Sequence, residues 1–247
     1  MIKLIRGECP EELTQDVKEE LTRLYAENKH RIVWSSPKIK QPLKDALTDM
    51  THKKCAYCEC ELEIEAKDVT IDHFLPKSKH ADKVVEWDNL FPACLRCNRE
   101  KKDKEDRIIN PCEENPQQFL ALNKINTFRL KGIDEDGVGQ STIRTIKLND
   151  VDRVMAARMK EWEEIQKWLL YVYKNLLDGY KERHREQVAG LMKKCTASSS
   201  YSAVKATHML HNETYVKIKE ILKSNDAWTD ELEQLEKQMK EIALQFV

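Results

Sequence analysis

Long apolar runs are missing from this chain. Its apolar stretches extend only a few residues, so no segment is long enough to cross a membrane as a helix. An excess of one charge sign is missing too: 42 Lys and Arg stand against 43 Asp and Glu, for a net charge of −1. A stand-alone, tight nucleic-acid binder usually carries a basic excess, so a local patch or a partner must supply much of any such binding. Glycine is scarce, at six residues, and no Gly-x-x-x-x-Gly-Lys-Ser/Thr run occurs, which excludes a P-loop ATPase. No repeat at a solenoid period is present. The opening Met1-Ile2-Lys3-Leu4-Ile5-Arg6 meets charge too soon for a signal peptide, and a cytoplasmic protein with no membrane partner is expected.

Charge of both signs is abundant, at 34% of 247 residues against 40% hydrophobic, a soluble and helix-rich balance long enough for one or two domains. Eight cysteines are present: Cys9, Cys55, Cys58, Cys60, Cys94, Cys97, Cys112 and Cys195. In a cytosolic chain, paired Cys-x-x-Cys spacing reads as metal rather than disulfide. Cys55-Ala56-Tyr57-Cys58 and Cys94-Leu95-Arg96-Cys97 each offer two thiolates on a tight loop, and Zn²⁺ prefers a tetrahedron of such donors. Four cysteines leave no open position for water, so this zinc is expected to be structural. Cys60 is a competitor ranked below Cys58. Cys9, Cys112 and Cys195 are expected to be small buried hydrophobes.

Helical spacing surrounds the cysteines. Leu13, Val17, Leu21, Leu24 and Tyr25 predict a helix over 11–28, and a second runs from Pro42, suited to a first turn, to Met50. Ser35, Ser36, Pro37 and Gln41 read as loop. From Cys55 to Asp103 the helical period vanishes. Cys55–Cys60 reads as a tight turn, Val69–Asp72 as a β-branched strand and Trp87–Leu90 as a loop or short strand, with a short helix after Cys97. Residues 108–150 read as irregular, with an acidic turn at Asp134–Gly139 joining two strands. Met155, Met159, Trp162, Ile165, Leu169, Val172, Leu176 and Tyr180 predict a long helix over 152–180. Further helices are predicted at 181–194, 201–223 and 230–246, the last with Phe246 at the end of its stripe and Thr229 or Asp230 as cap. Ser198–Ser200 reads as a linker. The domain reading is an N-terminal helical segment (1–54), a compact core (55–107), a connecting segment (108–150) and a C-terminal helical domain (151–247).

Between the cysteine pairs lie Asp72-His73-Phe74-Leu75-Pro76-Lys77-Ser78 and Trp87-Asp88-Asn89-Leu90, and Asn98 follows Cys97. A carboxylate binds Mg²⁺ or a similar hard cation. The adjacent histidine projects the other way from a strand, so one arm can hold metal while the other addresses water. On local grounds alone, His73 fits a satisfied structural histidine, Asn89 an Asx-turn residue and Asn98 a helix cap. The combined set resembles the HNH nuclease family, in which such a pair is followed by an apolar residue, a proline and a small polar residue. The resemblance implies an α+β fold, mostly helical, with a zinc-stapled ββα-metal core between N-terminal helices and a C-terminal helical region. It implies that His73 is the general base and that Asn89 fixes His73 by bonding loop backbone. It also implies that Asp72 and Asn98 hold a catalytic Mg²⁺ or Mn²⁺. Asn98 stands where the family name has its final His, and an amide oxygen suits hard ions. Lys77, Arg99, Lys101 and Lys102 are candidate phosphate contacts. From Lys77 to Arg107 nine basic residues face seven acidic ones, too weak a patch to drive binding alone.

The flanks carry a narrower likeness. Asn110-Pro111-Cys112-Glu113-Glu114-Asn115-Pro116, the turn at Asp136-Gly137, and Thr142-Ile143-Arg144-Thr145-Ile146-Lys147-Leu148-Asn149 leading to Arg158 are similar to one subfamily of bacterial HNH proteins. That subfamily includes nucleases of Septu-type and some retron anti-phage systems. The likeness implies a nuclease effector, with DNA as the expected nucleic acid and an ABC/SMC-like ATPase subunit as partner. The C-terminal helices are a candidate docking surface for that subunit. The alternative reading is a zinc-knuckle binding module in which Asp72, His73 and Asn98 are relics.

Overall fold

Two helices, α1 (Gln15–Glu27) and α2 (Pro37–Met50), precede a hairpin of β1 (Val69–His73) and β2 (Leu90–Cys94), which runs into α3 (Leu95–Lys101). Next come β3 (Leu120–Leu122), β4 (Leu130–Gly132) and α4 (Val138–Ile146). A π-helical turn, Val151–Met155, leads into α5 (Ala156–Leu177), followed by α6 (Glu182–Lys193), α7 (Ser202–Leu210), α8 (Glu213–Ser224), α9 (Asp230–Ile242) and β5 (Gln245–Phe246). The computed structural model describes residues 1–28, 33, 37–62, 69–125 and 128–247. The result is α+β and mostly helical, as expected. Among the described residues no helix is long and apolar enough to cross a membrane.

The hairpin positions the site. Val69, Thr70 and Ile71 are β-branched and favour a pleated strand. β1 and β2 pair antiparallel, with Asp72 opposite Phe91 and His73 opposite Leu90. Successive side chains of a strand alternate faces, so the carboxylate and the imidazole point to opposite sides of the sheet. Pro92 lies within β2 and is tolerated because both strands of this sheet are edges. Helix α3 is capped by Cys94, whose sulfur accepts from the Cys97 amide, and it packs on the face that carries Thr70 and Asp72.

One hydrophobic core joins Met1, Ile2 and Leu4 to the Cys55–Leu62 turn, Phe91, Leu120, Leu148 and Leu244. A second joins α5, α6, α8 and α9 through Trp162, Leu169, Val188, Ile218 and Met239. Smaller clusters tie the N-terminal helices to the loop between β1 and β2. Leu13, Leu43 and Leu47 meet Trp87 and Leu90, while Tyr25 and Val33 meet Val84 and Val85.

Several elements differ from the sequence pattern. α1 starts at Gln15, where Thr14 caps it by accepting from the Val17 amide. α2 starts at Pro37, so Pro37 and Gln41 are helical and Pro42 lies inside the helix rather than in its first turn. Ser35 and Ser36 lie outside the described residues. The expected helix over 201–223 breaks at His211–Asn212. The Asn212 side chain accepts from the Tyr215 amide and starts a new helix, a local bond stronger than the surrounding periodicity. The helix expected to reach residue 246 stops at Ile242, because Gln245 and Phe246 pair parallel with Ala121 and Leu122. The segment 108–150 is more regular than expected. Its acidic turn joins β4 to a helix, not two strands, and Asp134 accepts from the Val138 and Gly139 amides at 2.6 and 2.8 Å. Ser198–Ser200 is a packed turn rather than a linker. Lys54 donates to the Ser199 carbonyl at 3.0 Å, and Ser200 donates to Glu161 at 2.6 Å.

Candidate active site

The two Cys-x-x-Cys turns meet. The sulfurs of Cys55, Cys58, Cys94 and Cys97 all lie within 4.8 Å of one another, and all four residues are buried. A Zn²⁺ tetrahedron with bonds of about 2.3 Å has edges of about 3.8 Å. The Cys58–Cys94 sulfur separation is 3.9 Å. Four buried thiols at this spacing fit a structural zinc. Arg153, at 3.6 Å from the Cys97 sulfur, is placed to offset thiolate charge. Cys60 is buried beside the cluster but is not one of the four, and contact with Cys55 pushes its thiol far up. Cys195 is buried, as expected, whereas Cys9 and Cys112 are half-buried.

The first cysteine turn reaches the hairpin through Tyr57. Its hydroxyl donates to Asp72 Oδ2 at 2.5 Å. Lys101 Nζ lies 3.3 Å from the same oxygen and 3.4 Å from Oδ1, and it donates to the His73 carbonyl at 2.5 Å. Burial raises the Asp72 pKa, and Lys101 and Tyr57 oppose that rise. Asn98 lies on the same face as Asp72, but its amide nitrogen donates to Thr70 Oγ1 at 2.9 Å. Asp72 and Asn98 are therefore on one side of the hairpin with separate partners. Their oxygen chemistry suits a hard cation.

On the opposite side, His73 is buried and its Nε2 lies 2.8 Å from the Val84 carbonyl. Burial lowers its pKa to about 4. Asn89, also buried, staples the surrounding loop. Its side-chain oxygen accepts from the Leu75 amide at 2.7 Å. Its nitrogen donates to the Leu75 and Lys83 carbonyls at 3.1 and 2.9 Å. Lys83 immediately precedes Val84, so Asn89 supports the carbonyl that holds His73. Beside this loop opens a cleft of about 490 Å³ lined by residues including Phe74, Leu75, Lys83, Asn89, Arg107 and Asn110.

The candidate phosphate contacts divide. Arg99 and Lys102 are exposed, and Lys77 is half-buried over the Tyr25 ring at 5.4 Å. Lys101 is not a surface contact. It is 1% exposed and committed to Asp72 and His73, because a residue three positions beyond Asn98 shares its helix face. Sequence reasoning also missed Tyr57 and Thr70. The available signals were a hydroxyl inside the first cysteine turn and one two residues before Asp72 on the same strand face. His80 turns to Glu105 at 3.1 Å rather than toward His73.

A family model described as HNH endonuclease matches residues 55–104. The chain is 34% identical over 247 aligned positions to a Septu protein PtuB of Bacillus thuringiensis, covering 95% of this chain and 92% of that relative. It is 22% identical over 161 positions to a Septu protein PtuB of Bacillus mycoides (strain KBAB4), covering 51% of this chain and 54% of that relative. With the HNH match seated on the cysteine turns and the Asp72–His73 hairpin, the near full-length similarity establishes that this chain belongs to the Septu PtuB family and is an HNH endonuclease.

Proposed function

We propose that this nuclease hydrolyses phosphodiester bonds in DNA with His73 as general base, within a bacterial anti-phage complex. The observation that carries the reading is the bond between His73 Nε2 and the Val84 carbonyl. A carbonyl can only accept, so Nε2 carries the proton and Nδ1 is the basic nitrogen. Burial keeps the ring neutral at pH 7, the form that takes a proton from water. Asn89 acts as a positioning residue by fixing the loop around Val84. Asp72 and Asn98 are the ligands of a divalent cation, Mg²⁺ or Mn²⁺. Bound there, such an ion would neutralise charge on the scissile phosphate. Arg99 and Lys102 contact the phosphate backbone. The cleft beside Asn89 carries Glu86, Asp88 and Glu113 as well as Lys83 and Arg107, a mixture that does not favour a bare phosphate track.

The reading of a defence complex rests on the relatives named Septu protein. An ATPase subunit of the ABC/SMC-like type, working with this chain in the cytoplasm, would supply ATP dependence and much of the nucleic-acid affinity. The C-terminal helices are proposed as its docking surface. The test is cleavage of supercoiled plasmid, linear duplex and single-stranded RNA by the zinc-loaded chain with Mg²⁺ or Mn²⁺, alone and with an ATPase subunit of that type. Cutting of DNA in preference to RNA supports the assignment. Cutting of RNA alone overturns the choice of substrate, and equal rates with and without the ATPase overturn the proposed partnership.

A further inference from the structure

Lys101 is buried to 1% exposure, and lysine is seldom buried unless it is paired. Its partner is the carboxylate that the proposed hard-metal site requires. The ammonium bridges both oxygens of Asp72, at 3.3 and 3.4 Å, and Asp72 itself is only 3% exposed. Tyr57 also donates to Oδ2, and the His73 backbone bonds the same carboxylate. An ammonium and a divalent cation on one buried carboxylate repel strongly, since little water screens them.

We propose that Lys101 competes with the catalytic cation for Asp72 and thereby sets the cation affinity of the nuclease site. The inference rests on the reading of Asp72 and Asn98 as metal ligands. Lys101 fills the cation position until a divalent ion displaces it. Two features of the geometry make the exchange feasible. Lys101 has a second acceptor, the His73 carbonyl at 2.5 Å, so its ammonium stays paired when Asp72 turns to the ion. Asn98 is three residues earlier on α3 and bonds Thr70 on the same strand face, so the second proposed ligand already lies on the side of the hairpin that Asp72 and Lys101 share. The consequence is a site that fills only when the divalent cation is plentiful.

The test is Mn²⁺ titration of the full, zinc-loaded chain, read by the electron paramagnetic resonance of free Mn²⁺, for wild type, Lys101→Met, Lys101→Gln and Asp72→Asn. Zinc content and far-UV circular dichroism identify folded variants. Losing a charged competitor is expected to tighten Mn²⁺ binding by about tenfold or more in Lys101→Met. The Mn²⁺ concentration for half-maximal cleavage should fall in parallel. Lys101→Gln, which keeps a donor for the His73 carbonyl, carries the same expectation and serves if the Met variant does not fold. Folded variants that bind Mn²⁺ no more tightly than wild type overturn the proposal while Asp72→Asn still loses the site. Wild-type Mn²⁺ binding by Asp72→Asn overturns the underlying ligand assignment, and the competition with it.

Discussion

The Asn89 side chain and the Leu75 backbone hold each other in both directions, amide to carboxamide oxygen at 2.7 Å and carboxamide nitrogen to carbonyl at 3.1 Å. This closed pair, with the further bond to Lys83, fixes the loop that presents Val84 to His73. Asn89→Ala leaves buried backbone groups without partners, and a loss of about 3 kcal/mol is expected. With Asn89 in its proposed positioning role, cleavage should fall about 10- to 100-fold. Asn89→Asp should not rescue it, because an oxygen then faces the two carbonyls. Thermal unfolding and cleavage rate, with zinc content as the control, check both statements.

Zinc is expected to hold the hairpin and α3 together. Cys94→Ser or Cys97→Ser should abolish stoichiometric zinc, and structural zinc sites carry about 10 kcal/mol or more of folding free energy in small domains. Limited proteolysis should then cut within 55–104. Cys60→Ala should keep one zinc per chain, because Cys60 lies outside the set of four. Metal analysis of the purified variants separates these outcomes.

Glu236 is a test of the helical region. It is buried on α9 and accepts from Lys219, Lys240 and Tyr215 at 2.5, 2.6 and 2.9 Å. Burial alone would raise its pKa, but these bonds hold it at about 2, below the ordinary 4.5. Its folded pKa is depressed, so its stabilisation is present above pH 4.5 and is lost as the pH falls toward 2. Glu236→Gln should unfold less steeply over that window than wild type and be less stable at pH 7 by about 2 kcal/mol. Denaturant midpoints at pH 7, 4 and 3 give the comparison.

Much of the site was legible because its chemistry lies within 50 residues and its residue types are few. The two cysteine turns carry their meaning through spacing, whereas the roles proposed for Asp72, His73, Asn89 and Asn98 rest on the resemblance of the combined set to the HNH family. Lys101 is buried although a lysine in a charged run looks solvated in the sequence, and only its helical phase relative to Asn98 points inward. The parallel pairing of Phe246 with Leu122 joins residues far apart in the chain, and nothing local announces it. The break at Asn212 follows from one side-chain cap inside an otherwise continuous helical pattern. Pro42 has the usual preference of proline for a first helical turn, whereas α2 begins earlier, at Pro37.

The most direct test of the account is single-turnover cleavage of plasmid DNA by His73→Ala against wild type, with Mn²⁺ and with the proposed ATPase subunit present. A general base contributes about 10²- to 10⁴-fold, so the variant should lose at least 10²-fold while retaining its zinc and its unfolding temperature within a few degrees. Cleavage at the wild-type rate by a folded, zinc-loaded His73→Ala variant would contradict the account, since the proton would then be leaving to another group.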